Sequence, residues 1–312
     1  MPGTTLIIPT YNRPSQLKAC MQSILDQTVK PHEVIVVDDG NLAEIPLEKE
    51  CMAAGILCRY LKKEVPGLTE SRNAGVKLAR GEIIFFLDDD VILSKTYIGE
   101  LLRVYDSADS KEIGGVGGVI SNLKPLTLER WLRKGVEIFF MISGVREGRV
   151  LSSGFFTDLS PLKSGESHLK EVDFLSGGVM SFRRAIFDEF RFTDRYRAYG
   201  LGEDKDFTYQ VSQKYRLVLN KRATLLHVEA HEMRPDKRVY ARKFVLGRYL
   251  FFRDHVQEKP WQKIFFVHAL VGYLIIRTII FYLTWKKENA VHVLGILDGV
   301  GDIINQRVLG KP

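Results

Sequence analysis

The sequence has few cysteines, with only Cys20, Cys51 and Cys58 among 312 residues. They are odd in number and form no CxxC pair, which argues against a disulfide framework and against a zinc–thiolate site. The first ten residues also lack a basic segment followed by an apolar one, since they lead directly into a predicted strand. We therefore expect a protein of a reducing, cytosolic compartment.

Two familiar nucleotide-binding fingerprints are missing as well. No GxxxxGK[ST] is present, which excludes a P-loop protein. No GxGxxG follows the first predicted strand, and the glycine-rich run 114–118 lies too late and opens no helix. A dinucleotide-binding dehydrogenase is therefore not expected.

What the sequence does contain is an alternation of buried strands and helices. Hydrophobic residues make up 45% and charged residues 27%, ordinary values for a globular chain that can hold one large α/β domain plus an appendage. Apolar runs predict strands at Thr4–Ile8, Glu33–Val37, Ile56–Leu61 and Ile83–Leu87. Helical spacing predicts helices after Pro14, over Leu42–Ala54 and from Gly67 to Gly81. This alternation indicates βαβ units and a mostly parallel sheet.

Three consecutive acids, Asp88 to Asp90, follow the fourth strand. The carboxyl ends of strands in an open α/β sheet are where ligands bind, and right-handed crossovers bring Thr10, Asp39 and this triplet to one edge. Carboxylates without adjacent bases suit a hard divalent cation carrying a diphosphate. The alternative is a solvated acidic turn.

Four short motifs stand in a fixed order: PTYNR after the first strand, VVDDG after the second, SRNAG on a helix, and FLDDD after the fourth strand. Over roughly residues 4–230 this order resembles the family 2 glycosyltransferases of the GT-A fold. The resemblance implies an α/β, Rossmann-like GT-A fold, an inverting transfer, a nucleotide-diphosphate sugar (UDP-, dTDP- or GDP-linked) and Mg²⁺ or Mn²⁺.

The same resemblance assigns roles to individual residues. Thr10 to Arg13 would line the nucleotide, Asp39 would meet the base with Arg72 beside it, and Asp88 and Asp89 would flank the ribose and diphosphate. Asp90 would be a metal ligand. The implied donor-binding set is Pro9, Thr10, Tyr11, Asn12, Arg13, Asp39, Arg72, Asp88 and Asp89.

Further along, GEDKD begins a predicted helix that contains Glu203 and Asp204. Carboxylates in a first turn also serve as plain partners of the helix dipole. The resemblance implies instead that Asp204 is the general base, with Glu203 beside it on the acceptor side. Gly177 and Gly178 precede a strand and allow close backbone approach to a ligand on the sugar side, or mark a bulge.

Two histidines, His227 and His231, follow a predicted strand at Thr224–Leu226. The segment is strand and loop, so the spacing does not make a helical metal pair, and a structural role is the plainer alternative. By the resemblance one of them reaches the metal of the donor, and we favour His227.

The region between residues 121 and 170 carries the weakest pattern. It predicts an amphipathic helix over Leu126–Ile142 and a loop over Ser152–Ser167. We expect a GT-A domain over 1–232, with a nucleotide-binding half (1–120) and an acceptor-side half (121–232). A helical, membrane-associating region would follow over 233–312.

The C-terminal part combines positive charge with an apolar run. Nine basic residues stand between Arg234 and Lys263, opposed only by Asp236, Asp254 and Glu258. The apolar Phe265–Trp285 follows, then a second amphipathic stretch over Val291–Ile304. On an ideal helix Lys263, Arg277, Thr284 and Glu288 share one face, which favours lying in an anionic membrane interface. A spanning helix and a buried core helix are the alternatives, and nucleic acid is not expected as a partner.

Together these features predict an inverting transferase at the cytoplasmic side of the cell membrane, peripheral to the bilayer. It would transfer sugar to a lipid-linked or polysaccharide acceptor. One alternative is a sugar nucleotidyltransferase, which requires a glycine-rich, arginine-containing loop after the first strand, whereas PTYNRP has no glycine. The other is a catalytically silent glycan- or membrane-binding GT-A module.

Overall fold

The computed structural model describes residues 3–107, 112–122, 128–162, 165–196, 201–228 and 236–305, without the side chains of 128–131. Of the predicted features, His231 and Arg234 lie outside these residues. The chain divides into two compact units. The first lies within 1–123, 159–197 and 203–230, and the second within 124–158, 198–202 and 231–312. The predicted domain boundaries did not group 128–158 with the C-terminal helices.

The first unit is built on a mixed nine-stranded sheet. Its strands are β1 (Thr4–Thr10), β2 (Glu33–Asp38), β3 (Leu57–Lys62), β4 (Ile83–Leu87), β5 (Val91–Leu93), β6 (Ile113–Ile120), β7 (Leu169–Val172), β8 (Val179–Arg183) and β9 (Arg216–His227). They follow the order β3-β2-β1-β4-β8-β6-β9-β5, and β7 pairs with β9. The first four strands in this order are mutually parallel, as the βαβ pattern predicts, and β8 runs antiparallel to both β4 and β6.

The helices are α1 (Pro14–Leu25), α2 (Glu48–Ala53), α3 (Leu68–Leu78), α4 (Tyr97–Tyr105), α5 (Leu128–Phe139), α6 (Glu203–Ser212), α7 (Lys237–Phe251), α8 (Lys263–Thr284) and α9 (Lys287–Ile304). Two apolar clusters cover the sheet. Phe85 belongs to one cluster with residues of α1 and α4, and Phe86 belongs to the other with Phe192 and residues of α6. Because both faces of β4 are buried, its carboxyl end is held firmly where the acidic triplet begins.

The glycine-rich run 114–118 forms most of β6 and packs against aromatic rings. A Cβ on Gly115 would overlap the ring of Phe182, and one on Gly118 would lie against Tyr97. The glycines are therefore explained by close packing inside the sheet.

The second helix is shorter than predicted. Leu42–Ala54 was expected to be helical, but α2 covers only Glu48–Ala53. The buried carboxylate of Asp38 instead accepts hydrogen bonds from the Gly40 and Leu42 N–H groups at 2.8 and 2.9 Å, which folds the chain into a turn. Asp and Asn commonly bind nearby backbone in this way and compete with helix formation.

The second unit contains α5, α7, α8 and α9. The rings of Phe252 and Phe266 stack with centroids 5.0 Å apart, and the hydroxyl of the buried Tyr273 lies 2.9 Å from Nε2 of His292. Gly295 of α9 lies so close to α7 that a Cβ there would overlap the backbone carbonyl of Arg238. The apolar stretch after residue 263 therefore belongs to a packed helical unit.

The structure adds one feature to the C-terminal prediction and corrects another. Three cations of the basic block are paired with carboxylates of α9: Lys237 with Glu288, Arg238 with Asp298, and Arg242 with Asp302. The predicted one-faced helix also ends early, because α8 stops at Thr284 and Trp285 takes a left-handed conformation with φ 48°. Glu288 thus lies on α9 and shares no helix face with Lys263.

Candidate functional site

The ends of the first, second and fourth strands meet at one edge of the sheet, as predicted. Thr10 Oγ donates to Asp89 at 2.7 Å, and the Asp39 N–H donates to the Thr10 carbonyl at 2.9 Å. Arg13 Nη1 lies 3.1 Å from Asp89 and 3.2 Å from Asp90. The acidic triplet is thus a partly buried, hydrogen-bonded group, and the alternative of a solvated turn is wrong.

A cluster of three potential metal ligands lies at this edge. One ligand atom each from Asp88, Asp90 and His227 falls within 4.8 Å of the others. The short strand β5 pairs Val91 with His227, which places the imidazole beside the acids. His227 Nε2 lies 3.2 Å from Asp90 Oδ1. We refer to Asp88, Asp90 and His227 as the acidic–imidazole cluster.

The members of this cluster differ in their electrostatics. Burial raises the pKa of Asp88, although the Arg72 guanidinium offsets part of that effect. Burial would also raise the pKa of Asp90, but the His227 imidazole and the Arg13 guanidinium lower it overall. Two carboxylates and one imidazole that crowd together in this way match the ligands of divalent cations. The residues therefore fit a bound divalent metal ion.

Asp89, the middle acid, lies outside this cluster. It is bound by Thr10 and Arg13 and is nearly fully buried, and burial raises the pKa of its carboxyl group. Its neighbour in the predicted set, Asp39, accepts hydrogen bonds from the Gly67 N–H at 3.0 Å and from Ser71 Oγ at 2.7 Å. Both carboxylates therefore hold the loops of this edge in place.

The remaining residues of PTYNR lie at the same edge. Pro9 and Thr10 are the last residues of β1 and are buried, whereas Tyr11 is exposed. Asn12 adopts a left-handed conformation with φ 53°, and its Oδ1 accepts from the Asn41 N–H at 2.9 Å. This contact ties the loop after β1 to the loop after β2.

Arg72 connects two parts of the site. Its guanidinium is 2% exposed and lies 3.4 Å from Asp88 and 3.3 Å from Glu203. It also lies over the ring of Phe192, 5.4 Å from the centroid. A buried cation is stable only when paired, and here a single arginine pairs with both carboxylates.

Asp204 lies in the first turn of α6 and is surrounded by donors. Its Oδ2 accepts from the Gly177 N–H at 2.9 Å and from Lys205 Nζ at 2.5 Å. Burial alone would raise the pKa of Asp204, but Lys205, Arg72 and the Gly177 N–H lower it overall. Burial and the adjacent Asp204 charge raise the pKa of Glu203. The surroundings therefore act in opposite directions on the two acids, since they lower the pKa of Asp204 and raise the pKa of Glu203.

Gly177 and Gly178 lie between the acidic–imidazole cluster and Asp204. A Cβ on Gly177 would lie 2.7 Å from Arg72 Nη2 and 3.2 Å from the Asp204 Cβ, and one on Gly178 would overlap Asp88. The glycines thus make room for the side chains of the site itself. Two contributions were missed by sequence reasoning: Asp88 as a member of the cluster, and Lys205 as the partner of Asp204. The adjacency of Lys205 to Asp204 was the available signal.

Comparison with known sequences supports the family resemblance that the four motifs indicate. Residues 5–191 match the profile described as Glycosyl transferase family 2. The putative glycosyltransferase EpsH of Bacillus subtilis (strain 168) is 31% identical over 103 residues, which cover 33% of this chain and 30% of EpsH. The poly(ribitol-phosphate) beta-N-acetylglucosaminyltransferase TarP of Staphylococcus aureus (strain N315) is 24% identical over 237 residues, which cover 74% of this chain and 67% of TarP. This chain thus spans less than a third of EpsH.

Solved structures share the fold. The mannosyltransferase PcManGT from Pyrobaculum calidifontis, in complex with GDP-Man and Mn²⁺, has a TM-score of 0.58 at 16% identity, covering 96% of this chain and 88% of that chain. S. aureus TarS 1–349 in complex with UDP-GlcNAc has a TM-score of 0.57 at 16% identity, covering 98% of this chain and 82% of that chain. At such identities the likeness shows the fold alone, and it confirms the predicted GT-A architecture.

Proposed function

The chain belongs to glycosyl transferase family 2, and from this premise we propose that it transfers a sugar with inversion from a nucleotide-diphosphate sugar to an acceptor hydroxyl. The observation that carries the proposal is a juxtaposition. The acidic–imidazole cluster and the Asp204 carboxylate lie on either side of the dipeptide Gly177–Gly178. A leaving-group site and a base site are thus adjacent, as the displacement of a diphosphate by a hydroxyl requires.

On the donor side, we propose that the loops after β1, β2 and β4 hold a UDP-, dTDP- or GDP-linked sugar. The complexes of TarS with UDP-GlcNAc and of PcManGT with GDP-Man and Mn²⁺ support this class of ligand. Asp88, Asp90 and His227 would hold Mg²⁺ or Mn²⁺, since carboxylate oxygens favour these hard cations. Such an ion stabilises the extra negative charge of a departing nucleoside diphosphate.

On the acceptor side, Asp204 is the proposed general base. A hydroxyl is a poor nucleophile until its proton is taken, and an ionised carboxylate within reach can accept that proton as the bond forms. The donors around Asp204 lower its pKa and so favour the ionised form that a base requires, whereas burial raises the pKa of Glu203. One base and one stabilised leaving group suffice for inversion, so no nucleophilic carboxylate is needed.

For the acceptor we propose a lipid-linked glycan or a polysaccharide. The similarity to TarP, a poly(ribitol-phosphate) beta-N-acetylglucosaminyltransferase, supports a polymer acceptor. The location of the protein at the cytoplasmic side of the membrane stays a prediction from the sequence.

The direct test is a screen of the purified full-length protein. It would be incubated with UDP-, dTDP- and GDP-sugars and Mn²⁺, and released nucleoside diphosphate would be measured. Release of pyrophosphate from a nucleoside triphosphate and a sugar phosphate would indicate the nucleotidyltransferase alternative. Donor binding without turnover on any acceptor would indicate the silent binding module.

The role of Asp204 has a sharper test. We expect Asp204→Asn to lower turnover by roughly 10² to 10⁴, the usual contribution of a general base. Donor affinity should be unchanged, because the interaction is lost only in the transition state. Asp194→Asn, at an exposed carboxylate of the same unit, is the control. Near-normal turnover of Asp204→Asn would show that Asp204 is not the base and only stabilises the start of α6. Glu203→Gln would then test the next candidate.

A further inference from the structure

One face of α8 exposes a continuous apolar stripe. Six side chains spaced three or four residues apart are between 40% and 67% exposed: Ile264, Val267, Val271, Ile275, Ile279 and Tyr282. This spacing places them along one side of the helix, over a length of about 27 Å. We call these six residues the outer stripe. An exposed apolar surface of this extent indicates an interaction site.

The opposite side of α8 is already occupied by protein. Phe266 stacks on Phe252, Gly272 packs directly against Phe140, and Tyr273 lies 5.0 Å from the ring of Phe244. Within the described residues, Pro260–Thr284 is the one helix long and apolar enough to cross a membrane. If it crossed, its packing partners α7 and α9 would be carried to bilayer depth with Arg238, Arg242 and their carboxylate partners, and charges in hydrocarbon are costly.

The positive charge around the outer stripe indicates an anionic partner. Residues 259–287 contain no Asp or Glu, whereas Lys259 and Lys263 stand before the stripe and Lys286 and Lys287 after it, all four exposed. A second copy of the same face would bring further lysines against these lysines. An anionic phospholipid surface complements them, and Lys or Arg near such a surface is attracted to it.

Aromatic side chains mark both ends of the helix. Trp261 and Trp285 are 55% and 73% exposed, and Tyr282 is exposed beside the latter. Trp and Tyr prefer the headgroup level of a bilayer, because their rings combine an apolar body with a polar N–H or O–H group. A helix with exposed aromatics at both ends and an apolar side between them matches a helix that lies in the interface plane.

We propose that the outer stripe of α8 inserts into the headgroup region of an anionic phospholipid bilayer, with α8 parallel to the membrane surface. Three cations of α7 (Lys237, Arg238 and Arg242) are already paired with acids of α9, so we assign the attraction to the outer stripe and its flanking lysines. This inference concerns binding alone and does not depend on the proposed transfer reaction.

The test uses full-length protein and vesicles of phosphatidylcholine with or without phosphatidylglycerol. We expect co-flotation with the anionic vesicles at low salt, weaker but persistent binding at high salt, and release by alkaline carbonate. The double variant Val271→Gln, Ile275→Gln should weaken partitioning by about tenfold for each side chain. Both positions are exposed, so the fold should be retained. Met52→Gln, Val145→Gln removes comparable exposed apolar surface elsewhere and should bind as the unaltered protein does.

Three outcomes would overturn the proposal. Absence of binding to anionic vesicles at low salt would show that the stripe has another role. Resistance to carbonate would show a spanning helix. Conversion of a dimer to a monomer by the double variant, without effect on vesicle binding, would assign the stripe to a second copy of the chain. Asp204→Asn should float like the unaltered protein. A failure of the membrane proposal can therefore be distinguished from a failure of the proposed transfer reaction.

Discussion

At the scale of single residues, the contact between Lys205 and Asp204 sets the acidity of the proposed base. The ammonium group lies 2.5 Å from Asp204 Oδ2 and 5.4 Å from the centroid of the Phe174 ring, so it is held on the carboxylate. Since Lys205 contributes most to lowering the pKa of Asp204, the carboxylate stays ionised to lower pH than an ordinary aspartate.

This contact predicts a pH effect. Asp204 accepts a proton only while ionised, so turnover should fall as the pH drops through its lowered pKa. Lys205→Met should raise that pKa and move the acidic limb of the kcat–pH profile to higher pH, whereas Lys205→Arg should leave it near its original position. An acidic limb that does not move in Lys205→Met would place the base elsewhere.

A second prediction at this scale concerns the acidic–imidazole cluster. Asp90→Ala and Asp88→Asn should abolish metal-dependent donor binding, and His227→Ala should weaken it less, because two carboxylates remain. Calorimetric titration of nucleotide sugar with and without Mn²⁺ measures this, with Asp26→Asn as an exposed control in the same unit. Full activity in excess chelator would contradict the metal site.

The sequence predicted some of these residues and not their partnerships. The acids stood out because they follow apolar strands, and Asp204 because it begins a helix in a recognisable motif. The bridge from Arg72 to Glu203 joins residues distant in the chain, and the place of His227 depends on the pairing of β5 with β9. Such pairings depend on the whole sheet, which local patterns do not encode.

At the scale of elements, the strands buried on both faces were predicted best. β4 covers the predicted Ile83–Leu87 because its apolar run is bounded by Gly81 and the acids. The second helix was overpredicted, since periodicity takes no account of a side chain such as Asp38 that binds its own backbone. The C-terminal helices were located, but their mutual packing was not, because ion pairs between α7 and α9 are invisible in composition.

The packing of α9 on α7 predicts opposite effects for two glycines of one helix. Gly295→Ala should destabilise the protein by about 1–3 kcal/mol. Its Cβ would overlap the Arg238 carbonyl of α7, and only a shift of the helix backbone could relieve that overlap. Gly301→Ala meets nothing within 4 Å and should stabilise α9 by about 0.5–1 kcal/mol through helix propensity. Urea unfolding of the full-length variants measures both. Equal effects would show that the helices do not approach closely at Gly295.

At the scale of the whole molecule, the basic block is less available to an anionic partner than the sequence indicates. Lys237, Arg238 and Arg242 are paired with acids of α9, and Arg253 is paired with the adjacent Asp254. The basic block therefore contributes to the stability of the helical unit, and long-range attraction to anionic partners depends on the remaining cations.

The stability of the whole chain should depend on pH through His292. Burial, then the nearby Arg277 and Lys237, lower its pKa from 6.5 to about 4. Between these values the unfolded chain binds a proton that the folded chain does not, so the free energy of unfolding falls as the pH drops from 6.5 towards 4. The loss is on the order of 3 kcal/mol. Chemical unfolding at several pH values should show this slope, and His292→Gln should flatten it. An unchanged slope in His292→Gln would contradict the assignment.

The division of the acidic–imidazole cluster between distant parts of the chain has a consequence for synthesis. His227 follows Asp90 by 137 residues (227 − 90), so a ribosome must run for about 10 s after making the aspartate before it adds the histidine. An emerging chain with β1 to β4 already folded thus presents two carboxylates and no imidazole. A cation held by the two carboxylates would therefore gain its third ligand only after β9 has paired with β5.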